Sequence, residues 1–247
     1  IYSIHSNNSS INKTSFFSYY IKKKVCSQNV HSCVLPDPLG GILLIGIIMG
    51  TVNPIIGIIN TGMSDFLKSM NGTSAILLGA IVGGMMSIDM GGPFNKTAYL
   101  FGTGSIAVAA ADPNLASIGS TTMAAVMVGG MVPPLAIAIS SLLFKNKFTK
   151  RERSSWIVNI VMGLSFISES AIPYAAADPI RVIPSCIVGS AVAGALSMAF
   201  GCASPAPHGG AWVIGVIHNP LQYLLALAIG SVVGAVILGL WKKPVEE

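Results

Sequence analysis

Few side chains in this sequence can do chemistry, and they gather where apolar runs break. Glu169 stands in Ser168-Glu169-Ser170-Ala171-Ile172-Pro173-Tyr174, and the nearest basic residues are Arg153 and Arg181. An ionisable group at membrane depth costs several kcal/mol (about 2.5–3.5 on insertion scales), so each one is a functional candidate. The competing reading of Glu169 is a surface glutamate at a helix end. Asp89 and Lys96 flank Gly91-Gly92-Pro93 in the stretch SIDMGGPFNK. They can pair with each other or turn toward a ligand. Asn95, beside Lys96, carries donors and an acceptor, which suits a hydroxyl-rich ligand. Asp178 and Arg181, at i and i+3, read as a local ion pair at a helix start. His208, between Pro207 and Gly209, can hydrogen-bond a sugar or satisfy nearby carbonyls, and spacing alone admits both.

Other chemistries lack their residues. The sequence holds no P-loop, no Rossmann glycine pattern and no HExxH. Cys26, Cys33, Cys186 and Cys202 give neither a metal-type pair nor a disulfide framework. Cys186 and Cys202 read as small buried hydrophobes. The expectation is a passage and binding unit with no catalytic residue, no metal and no cofactor.

The elements that position these residues belong in a membrane. The chain is 52% hydrophobic and 9% charged, where a soluble domain carries about 25% charge. Glycine-, alanine- and methionine-rich runs without regular strand signals favour an all-α integral membrane protein, a transmembrane helix bundle closed by small-residue contacts, over a β-barrel. Residues 38–60 form a first span, with Asn53-Pro54 expected to kink or stop it. In residues 61–74, Met63, Phe66, Leu67 and Met70 fall on one face of a short interfacial helix. Residues 121–144, 182–203 and 220–241 are further spans, the first interrupted by Gly129-Gly130 and Pro133-Pro134.

Two segments are too short to cross. Residues 75–88 and 97–111 flank the SIDMGGPFNK break, and each falls short of the roughly 20 residues a crossing helix needs. Residues 154–168 form another half-length run, ending at Glu169. Polar breaks between half-length apolar runs are the pattern of re-entrant elements, so two re-entrant hairpin-like segments are expected. Charge gives a second argument. The segment 145–153 holds five basic residues, and Lys242-Lys243 close the last span, so both should face the cytoplasm. An even number of crossings must separate them. Residues 182–203 and 220–241 supply two, and 154–178 must therefore dip in and return.

Three motifs carry a resemblance. DMGGPFNKTAY (89–99), LSFISESAIPYAAADPIRVIPS (164–185) and APHGG (206–210) closely resemble the C-terminal half of the membrane (IIC) component of fructose-type sugar phosphotransferase systems. The segments between them fit in the same order, from about residue 40 to residue 243. The resemblance implies a multi-pass permease of the bacterial inner membrane, set in lipid and homodimeric, that binds a hexose, with fructose the first candidate. It implies a cytoplasmic IIB partner that phosphorylates the sugar from its phosphocysteine, and no nucleic-acid partner. Glu169 resembles the glutamate that meets sugar hydroxyls in related permeases. The substrate-binding set implied is Glu169, Asp89, Gly91, Gly92, Pro93, Asn95, Lys96 and His208.

Residues 1–37 depart from the family and read as a disordered or unrelated segment. Residues 38–247 read as the C-terminal part of a permease IIC domain, apparently truncated at its N-terminus. The IIA and IIB phosphorylation motifs are absent, so this chain would serve a phosphotransferase complex without carrying a phosphorylation site itself. Two other readings stand beside this one. One is an ion-coupled secondary transporter using Asp89 and Glu169 as proton carriers, and the other is a non-functional truncated permease.

Overall fold

A computed structural model describes residues 36–69, 75–112 and 118–245. The expected N-terminal segment 1–37 lies almost wholly outside the described residues. The chain divides into two compact units, one ending at Gly57 and the other running from Ile58 to Glu247. Helix α1, Pro36–Ser69, is continuous over 34 residues with Pro54 inside it. Of the two outcomes expected at Asn53-Pro54, a kink or a stop, the stop does not occur, consistent with the tolerance of proline in apolar helices. One expectation is corrected: residues 61–69 extend α1 rather than forming a separate helix. The side chains of Met63, Phe66, Leu67 and Met70 lie outside the described residues.

The second unit is built on three helices long and apolar enough to cross a membrane: α4 (Thr121–Leu143), α8 (Pro179–Ala199) and α9 (Pro220–Trp241). Between and around them run α2 (Ala75–Met85), α3 (Pro93–Ala111), α5 (Lys150–Ser154), α6 (Trp156–Leu164) and α7 (Ile172–Ala177). The chain is an all-α membrane protein. Among the described residues the only β pairing is two isolated bridges, Ser120 with Ser204 and Ala203 with His218.

Helix α4 is the buried axis, and small residues let its neighbours approach. Gly129 and Gly130 do not interrupt it, contrary to expectation. A Cβ at Gly129 would lie 2.6 Å from the Gly83 Cα, and one at Gly130 would lie 2.5 Å from the Phe166 ring. The pair is a notch that receives α2 and the turn after α6, an arrangement of small residues common where helices meet in lipid. Pro133-Pro134 also lie within the continuous α4. Helix α8 starts earlier than expected because Pro179 takes the first helical position, where its missing N–H costs nothing.

Hydrogen bonds fix which ends lie together. Lys147 Nζ donates to Leu240 O at 3.1 Å, and Lys242 Nζ pairs with Glu152 Oε1 at 3.2 Å. Lys242 also sits 4.3 Å from the Phe148 ring centroid. The two basic segments therefore share one end of the bundle, as the charge argument required. At the other end, Ser120 and Ser204 exchange backbone bonds of 3.0 Å.

Both half-length segments turn back. Helix α6 leaves the basic end, and α7 returns to it. Asn159 Nδ2 donates to Tyr174 Oη at 3.0 Å, and Tyr174 Oη donates to Glu152 O at 2.9 Å. Helix α2 enters from the opposite end, antiparallel to α8, with Gly79 against Gly194 and Gly83 against Ser190. Helix α3 then climbs back until Ser105 Oγ lies 2.6 Å from Ser120 Oγ. Two re-entrant hairpins thus enter from opposite ends and meet at the middle of α4. Buried hydroxyls join the first hairpin to α8 and α4: Ser190 Oγ donates to Gly129 O at 2.8 Å and lies 2.5 Å from Ser87 Oγ.

Candidate functional site

The tip of the first hairpin is shaped by its own polar groups. After α2 the chain turns through Met90 (φ 45°) and Gly91 (φ 125°) into α3. The Asp89 carboxylate accepts from Phe94 N at 2.8 Å and Asn95 N at 3.0 Å. It does the work of an N-cap, meeting free N–H groups at the positive end of the helix dipole. Pro93 has no N–H to satisfy. Asn95 Nδ2 donates to Met86 O at 2.8 Å, which ties α3 back to the end of α2. A Cβ on Gly92 would lie 2.5 Å from Asp89 Oδ2, so glycine lets the carboxylate lie across the helix end. Lys96 is exposed. The expected alternative of an Asp89–Lys96 pair is not formed, because helix capping engages both carboxylate oxygens of Asp89.

The second tip is arranged the other way. Between α6 and α7 lie Ser165, Phe166, Ile167 and a short 3-10 turn, Ser168–Ala171. Phe166 is buried yet has φ 62°, a left-handed conformation that a bulky side chain enters only under local constraint. Glu169 is exposed, and among the described residues no hydrogen bond or ion pair engages its carboxylate. The two tips touch at this residue. A Cβ on Gly91 would lie 3.3 Å from Glu169 Oε1, and the positive φ there independently favours glycine.

The third polar break dips in beside them. The Phe166 ring centroid lies 5.0 Å from that of His208 and 6.2 Å from that of Tyr99 in α3. Gly210 has φ 59°, and a Cβ there would lie 2.3 Å from Leu164 O. Trp212 Nε1 donates to Ser165 Oγ at 2.9 Å.

The structure therefore brings Gly91 to Glu169, with Gly92 against Asp89 in the same tip, and His208 to the second tip through Phe166. Asp89 and Asn95 lie in the first tip but spend their side-chain hydrogen bonds on its backbone. Asp178 and Arg181 pair at 2.7 Å at the start of α8, as their spacing indicated. Sequence reasoning missed Phe166, Tyr99 and Trp212. Phe166 sits in the apolar run LSFIS, where only its position just before a polar break could have drawn notice. Chemically, the arrangement offers a carboxylate with open acceptor positions, glycine backbone beside it and aromatic faces nearby. Such a set can hydrogen-bond hydroxyls and cover the apolar face of a ring.

Comparison with known proteins decides the family. The sequence pattern described as Phosphotransferase system, EIIC matches residues 38–189. The chain belongs to that family. It is similar to the PTS system fructose-specific EIIABC component of Bacillus subtilis, 47% identical over 216 residues, which are 87% of this chain and 32% of that protein. It is 47% identical over 216 residues to the fructose permease IIC component of Bacillus amyloliquefaciens, covering 87% of this chain and 67% of that protein. It is 43% identical over 216 residues to the PTS system fructose-specific EIIB'BC component of Escherichia coli, covering 85% of this chain and 37% of that protein. The chain thus spans from about a third to two thirds of these relatives' lengths. No solved structure matches it. The family match includes both hairpin tips, so the meeting of Gly91 with Glu169 falls inside the shared region.

Proposed function

We propose that this chain is a sugar-translocating permease subunit of a fructose-type phosphotransferase system. A hexose, fructose first among candidates, binds where the two hairpin tips meet. The observation that carries this reading is the Glu169 carboxylate, unengaged among the described residues and lying against Gly91, in a chain of the EIIC family. A carboxylate that accepts two sugar hydroxyls orients the ring, while aromatic side chains cover its C–H face. The basic end faces the cytoplasm of a bacterial cell, the orientation favoured for short Lys- and Arg-rich loops. There a IIB partner receives the sugar for phosphorylation; the relatives named EIIB'BC and EIIABC support a partner of that kind. Asp89, Asn95 and Lys96 build the wall of the first tip, and His208 borders the site. A second copy of the chain and the surrounding lipid complete the working assembly.

The test is phosphoenolpyruvate-dependent fructose uptake by membrane vesicles that contain the chain and its IIB partner. Glu169→Gln keeps the size of the side chain and removes the charge. A hydrogen bond to a charged group contributes about 1.5–3 kcal/mol, so uptake should fall by roughly 10- to 100-fold. Unchanged uptake in this variant removes Glu169 from the site. Accumulation of unphosphorylated sugar driven by a proton gradient would support the ion-coupled alternative instead.

A further inference from the structure

A cleft of about 650 Å³ lies along the second hairpin, lined by Arg151, Glu152, Asn159, Met162, Ser170 and Tyr174 among others. It joins two places already described. Ser170 follows Glu169 in the tip turn, and Arg151 belongs to the basic end. Polar groups along the cleft are held in place: Asn159 bonds Tyr174, and Tyr174 bonds the Glu152 carbonyl. Two groups are not so engaged. Ser170 Oγ is buried without a hydrogen-bond partner, and a buried hydroxyl in that state calls for an explanation. The Arg151 side chain is exposed, and among the described residues no ion pair engages it, although the acid beside it, Glu152, lines the same cleft. Glu152 is spent elsewhere, with Oε2 accepting from Thr149 N at 2.8 Å and Oε1 meeting Lys242 at 3.2 Å.

We propose that this cleft binds a hexose monophosphate on its way from the hairpin tips to the cytoplasm, with the Arg151 guanidinium holding the phosphate and the Ser170 hydroxyl meeting the sugar. The inference rests on the functional reading above and extends it to the product. Electrostatics gives the path its direction. Glu169 favours a neutral, hydroxyl-rich sugar and repels a phosphate. Arginine forms paired, charge-assisted bonds to phosphate oxygens. Adding a phosphate to the sugar therefore weakens its hold at the tip and strengthens it at the basic end of the same cleft.

The test measures binding of labelled fructose and of labelled fructose monophosphate separately, to the full chain in zwitterionic lipid nanodiscs. Arg151→Gln should weaken fructose monophosphate binding by tenfold or more relative to fructose binding, and R151K should recover part of the loss. Ser170→Ala should weaken fructose monophosphate several-fold while leaving displacement by inorganic phosphate unchanged. Fructose monophosphate binding that is absent, or indifferent to Arg151→Gln, overturns the cleft proposal whatever fructose does. Loss of fructose binding in the unaltered chain overturns the functional reading separately. Inorganic phosphate competing as well as the sugar phosphate shows an anion site without sugar recognition and overturns the proposal. So does binding abolished by anionic lipid, which assigns Arg151 to a headgroup.

Discussion

The two hairpin tips hold one acid each and use it in opposite ways. At the first tip Asp89 lies across the start of α3 and accepts two backbone N–H groups, while Asn95 ties the same turn to Met86. Its polarity is consumed in making its own shape. At the second tip the turn is shaped by packing. Phe166 is held in a left-handed conformation between the α4 notch and His208, and Glu169 is left over. An acid whose oxygens are already hydrogen-bonded has little to offer a ligand, whereas an unengaged one must meet water or a ligand. The contrast separates scaffold from site among residues of the same type.

The largest effect should follow changes at the point where the tips meet. Glu169→Gln should lower uptake as described, with the apparent melting temperature of the purified protein nearly unchanged because no internal partner is lost. Gly91→Ala attacks the same point from the other side. It forces a side chain into φ 125° and places its Cβ 3.3 Å from Glu169 Oε1. Strain of this kind costs about 1–3 kcal/mol, and fructose affinity should fall about tenfold as the carboxylate is displaced. Retained affinity in this variant would show that the tips need not touch for binding.

Much of this architecture was legible in the sequence, because it rests on length and charge. The runs before and after SIDMGGPFNK are too short to cross, and two basic segments fixed the parity of the crossings. Both arguments use counting that tertiary packing cannot reverse. What stayed hidden depends on distance across the bundle. Gly129-Gly130 read as an interruption because glycine weakens a helix locally, yet the pair is where Gly83 and Phe166 approach α4. Asp89 could pair with Lys96 on spacing alone, and only the turn through Met90 and Gly91 shows that its oxygens reach the helix start instead. Phe166 gave little sign beyond its place just before a polar break, since its importance lies in a backbone angle and in two rings from distant parts of the chain.

The first tip offers the next test. Asp89→Ala removes the acceptor for two N–H groups, and loss of such a cap costs about 0.5–2 kcal/mol. Thermal unfolding of the detergent-solubilised protein should shift downward, and uptake per folded molecule should stay within a few-fold of the unaltered protein. A tenfold loss of fructose affinity without a stability change would make Asp89 a ligand-binding group and dissolve the contrast between the tips.

The smallest effect belongs to Lys96. It is the only charged side chain in the first tip besides Asp89, it is exposed, and Asp89 is committed to the helix start rather than to it. Lys96→Gln therefore removes no internal bond to that acid, and substitutions of this kind on a surface change stability by about 0.5 kcal/mol or less. Fructose affinity, measured by equilibrium binding, should change less than twofold. The variant is informative because the family resemblance placed Lys96 in the sugar-binding set. A marked loss of affinity would mean that the lysine reaches across to a sugar held by Glu169. The first tip would then supply a free charge after all, and the site would be built by one acid and one base from opposite hairpins.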